Sequence, residues 1–169
     1  GAAAERYEIV VNTGSLGDAP VWIEADSDAG FSARVLGVTA TSEQGIGSLP
    51  TELDAGALIV DATSDLTGLP RRRFSLEAWG MMRSRPFTIN GAAMDMSRID
   101  ERIVVGTTEI WEIVNAGPMQ MTHSFHVHST HFQVLSVDGE PPSALIAGRK
   151  DTVIVPPGAV VEIVVHFDR

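Results

Sequence analysis

Four of the five histidines in this 169-residue sequence fall within residues 123–135, which read HSFHVHSTHFQVL. The sequence contains no cysteine, so imidazole rather than thiolate is the strong metal ligand that this segment offers. Imidazole nitrogen binds copper, zinc, iron and nickel. The cluster therefore predicts a transition-metal site without identifying the metal.

The spacing of these histidines indicates how a strand would present them. His126 and His128 are two residues apart, so on a β-strand both rings project from one face, while Phe125 and Val127 project from the other. His123 lies three residues before His126 and does not share this periodicity. We expect its ring to emerge before the strand and to point at a different site, so that one segment serves two metal sites.

The motifs around the histidines resemble, in order and spacing, the C-terminal cupredoxin domain of multicopper oxidases of the laccase and bacterial cuprous oxidase type. The His-x-x-His-x-His run is similar to the third histidine motif of that family, whose usual form is HPFHxHGxxFxVL. The resemblance extends to FTINGAAMD from residue 87, GTTEIWEIVN from residue 106 and AGRKDTVIVPPGAVVEIVVHFD from residue 147. Ser124 and Ser129 stand where the family usually has proline and glycine.

This resemblance implies a role for each of the three histidines. His123 would be a ligand of a mononuclear type 1 copper, and His126 and His128 would be ligands of a trinuclear type 2/3 copper cluster. A phenolic or metal-ion donor would be oxidised one electron at a time at the first centre, and O2 would be reduced to water at the second. The implied cofactor is copper, and the implied partners are O2 and a one-electron donor.

The five histidines cannot complete both centres. A blue mononuclear site also needs a cysteine thiolate and a second histidine, usually with a weak axial methionine. The resemblance implies that these come from an HCH-x-x-x-H-x-x-x-x-M segment beyond residue 169, and that the remaining cluster ligands come from an N-terminal domain. We therefore expect the remaining domains of the same protein, or another chain, to complete the sites, and this chain alone to be inactive.

Two other functions compete with a copper oxidase. The first is a non-catalytic cupredoxin-like scaffold or binding module, although such a scaffold has no physical need for three histidines at ligand spacing. The second is a cupin-type iron or manganese enzyme, which also uses His-x-His on a strand. That site requires a glutamate four or five residues after the second histidine, where this sequence has Phe132 and Gln133.

Several further residues could contribute to a metal site. We expect His131 to lie near the site or on the surface, and His166 to be solvated on the polar face of its strand. Asp151 could satisfy backbone donors or orient a histidine as its hydrogen-bond partner. Methionine thioethers bind Cu(I) but more often fill cores, and both uses are open for the two Met-x-Met pairs, Met94, Met96, Met119 and Met121.

Composition and charge exclude other classes. The formal net charge is −10, whereas nucleic-acid binding requires clustered Lys and Arg. No apolar run reaches the roughly 18 to 20 residues of a membrane helix. The family resemblance implies a periplasmic or secreted protein.

Short β-forming segments separated by turn residues predict an all-β, cupredoxin-like Greek-key β-sandwich. In the last segment Val161, Ile163, Val165 and Phe167 should pack inward because they alternate with Glu162, Val164 and His166. We predict that residues 1–40 are the end of a preceding cupredoxin domain, that residues 41–73 are a linker, and that residues 74–169 are a C-terminal cupredoxin domain without its last segment.

Overall fold

The computed structural model describes residues 10–12, 19–26, 30–40, 45, 48, 58–80 and 87–168. Every regular element in these ranges is a β-strand, so the all-β class is confirmed, and no helix in them could cross a membrane. The strands are β1 Val21–Asp26, β2 Ser32–Val38, β3 Arg71–Ala78, β4 Phe87–Ile89, β5 Thr108–Asn115, β6 His123–His126, β7 Phe132–Val137, β8 Arg149–Lys150, β9 Thr152–Val155 and β10 Val160–His166.

The chain divides into two compact units. The smaller unit, Tyr7–Leu53, contains β1 and β2, which pair antiparallel. The larger unit contains all other strands. The first strand of the larger unit begins at Arg71, which lies inside the segment predicted as a linker. The limits of the two domains stay a prediction.

Two sheets make up the larger unit. Six strands form the first sheet in the order β4-β3-β5-β10-β7-β8, and β6 pairs with β9 in the second. All neighbours are antiparallel except β3 and β5, which run parallel. The second sheet carries the histidine motif, so its packing against the first decides where the imidazoles point.

The hydrophobic core lies between the sheets. Val161, Ile163 and Val165 on β10 are fully buried in it, as their alternation predicted. Val164 was expected on the polar face, but it is also fully buried. Phe125 from β6 meets Phe74 from β3 and Trp111 from β5, with ring centroids 5.8 Å and 6.3 Å away, respectively. This aromatic cluster fixes which face of β6 points inward.

A buried ion pair ties β3 to β5 beside that cluster. Glu109 is 3% exposed and accepts hydrogen bonds from Arg72 through both carboxylate oxygens, at 2.6 Å and 3.1 Å. The Trp111 indole N–H donates to the same carboxylate at 2.8 Å. Arg72 also pairs with Glu101 and donates to the Arg102 carbonyl, so it links the segment before β5 to the sheet.

Gly117 lies after β5 where two backbones approach closely. A Cβ at this position would lie 2.4 Å from the backbone nitrogen of Ala78, at the end of β3. A backbone nitrogen cannot move away as the end of a flexible side chain can. The residue at position 117 must therefore lack a side chain for this contact to form.

Candidate metal centre

The register of β6 against β9 assigns each histidine to a face. His123 pairs with Val155 and Phe125 with Val153, and these partners are buried. His126 pairs with Thr152. Because side chains alternate along a strand, His123 shares the core-facing side with Phe125, and His126 projects from the opposite side.

Two details of the sequence-based prediction were wrong. His123 was expected before the strand, but it is the first residue of β6. His126 and His128 were expected on one strand, but β6 ends at His126 and His128 lies in the following bend. His123 and His126 nevertheless project from opposite faces of β6, as the odd spacing between them predicts.

His126 and His128 are brought together by this bend. Their ring centroids are 4.8 Å apart and their planes meet at 58°. Both side chains are exposed. The next residue, Ser129, has a φ of 64°, a left-handed conformation that turns the chain immediately after the pair.

Hydrogen bonds fix the protonation pattern of the His126 ring. Its Nδ1 lies 2.8 Å from the Asp151 carbonyl oxygen, which can only accept. The Nδ1 atom must therefore carry the proton and donate it. In the neutral ring, the Nε2 atom then keeps its lone pair, which is the state that a metal ligand requires.

His123 offers a second potential ligand on the core side. Its Nε2 atom is buried and has no hydrogen-bond partner. Burial lowers the pKa of His123 because the low-dielectric surroundings disfavour the imidazolium form. Burial thus favours the neutral ring, which can donate a lone pair to a metal.

A cavity of about 630 Å³ borders His123. Its walls include the two exposed methionines Met94 and Met96 and the charged residues Asp95 and Arg98. The second methionine pair, Met119 and Met121, is not among the described residues that line it. The two Met-x-Met pairs therefore lie in different surroundings.

The remaining candidates lie elsewhere. His131 is exposed and borders a separate cavity of about 120 Å³ with Arg149, His166 and Asp168. His166 was expected to be solvated, but it is half-buried and its Nδ1 lies 2.9 Å from the Thr108 hydroxyl. These two residues face each other across β5 and β10, which accounts for the contact.

Within the part of the chain that the structure describes, no three His, Asp or Glu side chains converge closely enough to hold a metal ion. The histidine motif instead offers one pair of imidazoles and one single imidazole. This donor set fits a transition metal such as copper, which binds imidazole well, provided that further ligands are added. Sequence reasoning missed Thr152, whose hydroxyl is also 2.8 Å from His126 Nδ1.

Comparison with known proteins agrees with this donor chemistry. A family model described as multicopper oxidase matches residues 69–169. The multicopper oxidase mco of Staphylococcus aureus is 45% identical over 82 residues, which cover 47% of this chain and 18% of that protein. The cell division protein FtsP of Yersinia pestis is 33% identical over 177 residues, which cover 99% of this chain and 35% of that protein.

A solved structure also resembles this chain. A laccase-like multi-copper oxidase from the lignin-degrading bacterium Ochrobactrum sp. superposes with a TM-score of 0.66 and 26% identity, covering 90% of this chain and 36% of that one. The likeness confirms the cupredoxin-like β-sandwich. The chain spans about a fifth to a third of the length of these relatives. Since the family match covers more than half of its residues, the chain belongs to the multicopper oxidase family.

Proposed function

We propose that this chain supplies part of two copper centres in an oxidase. The enzyme couples one-electron oxidation of a donor, either a phenol or a metal ion, to the four-electron reduction of O2 to water. His123 is a ligand of a mononuclear copper, and His126 and His128 are ligands of a trinuclear copper cluster. Bound copper would supply the one-electron redox chemistry.

The observation that carries the proposal is the arrangement of His126 and His128. Their rings lie 4.8 Å apart at the surface, and the Nδ1 hydrogen bond of His126 leaves its Nε2 atom free to bind a metal. Two imidazoles of a metal site are usually held in this way, with the second ring nitrogen bonded to a carbonyl or carboxylate. The motif therefore supports a role in metal binding more strongly than the presence of histidines alone.

The buried Nε2 atom of His123 supports the proposed role of His123 as a ligand of a mononuclear copper. An unpaired buried polar atom costs about 1–3 kcal/mol, so its presence calls for an explanation. A role of His123 as a metal ligand would explain this unpaired atom. Because metal and proton compete for imidazole, the burial that lowers the pKa of His123 reduces the competition from protons.

The centres need ligands from residues outside this sequence. Five histidines and no cysteine cannot satisfy a blue copper site and a trinuclear cluster together. We propose that other domains of the same protein or a second chain supply the thiolate and the remaining imidazoles. We further propose that the protein is periplasmic or secreted, which is the location that the family resemblance implies.

A second function has one specific observation in its favour. The cell division protein FtsP of Yersinia pestis is similar over 99% of this chain, whereas the staphylococcal multicopper oxidase is similar over 47%. A non-catalytic scaffold that retains the fold is therefore the alternative. The three histidines at ligand spacing argue against it, because neither folding nor docking requires them.

Copper analysis of the full-length protein separates the two functions. We expect the reconstituted protein to bind copper, to show a thiolate-to-copper absorption in the visible, and to consume O2 with a phenol or with Cu(I) as donor. His123→Ala should abolish the visible absorption. His126→Ala and His128→Ala should each impair O2 consumption while the visible absorption remains.

The matched control is His131→Ala, because His131 is exposed and lies beside a different cavity. This variant should keep both the absorption and the O2 consumption. A full-length protein that binds no copper after reconstitution would establish the scaffold function instead. Wild-type turnover in all three histidine variants would refute the assignment of the ligands.

A further inference from the structure

The pairing of β6 with β9 places a threonine directly opposite His126. Thr152 faces His126 in the antiparallel register, and its side chain is fully buried. Its Oγ1 atom lies 2.8 Å from His126 Nδ1 and 3.1 Å from the Asp151 carboxylate oxygen Oδ1. A carboxylate, a hydroxyl and an imidazole thus form a chain of hydrogen bonds behind the exposed face of His126.

The direction of these bonds follows from their partners. The ionised carboxylate of Asp151 can only accept, so the Thr152 hydroxyl donates its proton to it. A lone pair of Oγ1 can then accept the proton of His126 Nδ1. The carbonyl oxygen of Asp151 is also an acceptor at 2.8 Å, so the Nδ1–H group of His126 points between two acceptors.

We infer that Thr152, held by Asp151, is a positioning residue that works with the Asp151 carbonyl to hold His126 in one orientation and tautomer before copper binds. The inference rests on the proposed function, because His126 Nε2 is oriented to bind a metal. A flip of the ring would move Nδ1 away from both acceptors, so the two contacts together specify one orientation. The Asp151 carbonyl also accepts the Val127 backbone N–H at 3.0 Å, which ties the ring to the strand pairing itself.

Replacement of the hydroxyl by a methyl group is the direct test. Thr152→Val keeps the β-branched shape but removes one of the two acceptors for the His126 proton. The hydrogen-bond partners of metal-bound histidines typically contribute about 10- to 100-fold to metal affinity. We expect a loss of copper affinity of that size for Thr152→Val, and wild-type affinity for Thr152→Ser, which retains the hydroxyl.

A matched control removes the same kind of contact elsewhere. Thr108 also places its hydroxyl against a histidine Nδ1, 2.9 Å from that of His166, which is not assigned to copper. Thr108→Val should therefore leave the copper affinity unchanged. Thermal unfolding of each variant checks that the fold persists.

The experiment uses the full-length protein labelled with 15N-histidine, and its first readout needs no metal. In the copper-free protein, the nitrogen chemical shifts of His126 should show a protonated Nδ1 and an unprotonated Nε2. Thr152→Val should move both shifts part of the way towards the averaged values of an unconstrained ring, because only the Asp151 carbonyl then holds the Nδ1 proton, and Thr152→Ser should restore them. The His126 signals are assigned by their loss in His126→Gln.

The second readout is a titration of the same variants with copper against a competing chelator. Unchanged His126 shifts together with unchanged copper affinity in Thr152→Val would overturn the inference, as would a Thr152→Ser variant that behaves like Thr152→Val. A wild-type protein that binds no copper would overturn the proposed function. The nitrogen shifts would still decide, in that case, whether Thr152 orients the ring.

Discussion

The rings of His126 and His128 lie with their centroids 4.8 Å apart, although only His126 belongs to a strand. The period of a β-strand therefore does not bring them together. The bend that follows β6 does so, and it ends in the left-handed conformation of Ser129. The geometry of the pair consequently depends on the bend that follows β6.

Ser129→Gly should stabilise the chain. A non-glycine residue in the left-handed region is destabilised by about 1 kcal/mol relative to glycine. The greater conformational freedom of glycine in the unfolded chain offsets part of this difference. We expect a net gain of up to about 1 kcal/mol in the free energy of unfolding, measured with urea. The control is Ser124→Gly, an exposed position inside β6, which should lose about 0.5–1 kcal/mol. Equal losses at both positions would contradict the role of the bend.

Gly117→Ala should destabilise the larger unit. The added Cβ would lie 2.4 Å from the Ala78 nitrogen and 3.1 Å from its oxygen, so two backbone segments must separate. Overpacking of this kind typically costs about 1–3 kcal/mol. The control is Gly148→Ala, because a Cβ there meets nothing within 4 Å. Similar unfolding midpoints for the two variants would show that the contact is not constraining.

Arg72→Met should be strongly destabilising. The substitution leaves the carboxylate of Glu109 buried at 3% exposure, with the Trp111 indole as a remaining donor. Removing one partner of a buried ion pair typically costs about 3–5 kcal/mol. The comparison is Arg73→Met, which removes an exposed pair with Glu112 and should cost about 0–1 kcal/mol. Chemical denaturation of both variants gives the difference, and equal costs would refute the importance of burial.

Glu109 should also make the stability depend on pH. The hydrogen bond from Arg72 lowers the pKa of Glu109 below its ordinary value of 4.5. As the pH falls past 4.5, the unfolded chain therefore takes up a proton that the folded chain still excludes, so the stability decreases until the folded pKa is passed. Above the ordinary value the contribution is fully present.

Glu109→Gln should flatten this acid-induced loss, although the variant is less stable near neutral pH because it loses the ion pair. Urea unfolding at a series of pH values from about 6 to about 3 measures the slope for both proteins. A variant with the same slope as the wild type would show that Glu109 does not carry this dependence.

The sequence predicted the fold well where the pattern is local. Alternation of apolar residues in β10 is a property of neighbouring positions, and the burial of Val161, Ile163 and Val165 agrees with it, whereas the burial of Val164 does not. The motif order around the histidines indicated the family and the cupredoxin-like sandwich. Both signals can be read without knowing which strands pair.

The sequence did not predict contacts that depend on register. Thr152 lies 26 residues from His126, and only the pairing of β6 with β9 brings the hydroxyl to the ring. His166 was expected to be solvated because its strand face is polar, but the opposite residue on β5 is Thr108. The end of β6 at His126 is also non-local, because it marks the point where pairing with Thr152 stops.

The two-faced character of β6 has a consequence for how the site is made. A slip of one residue against β9 would exchange the faces, so that Phe125 and His123 would turn towards water and His126 would turn into the hydrophobic core. The packing of Phe125 against Phe74 and Trp111 disfavours the shifted register. The register that buries Phe125 in the aromatic cluster is therefore the same register that places His123 and His126 on opposite faces of β6.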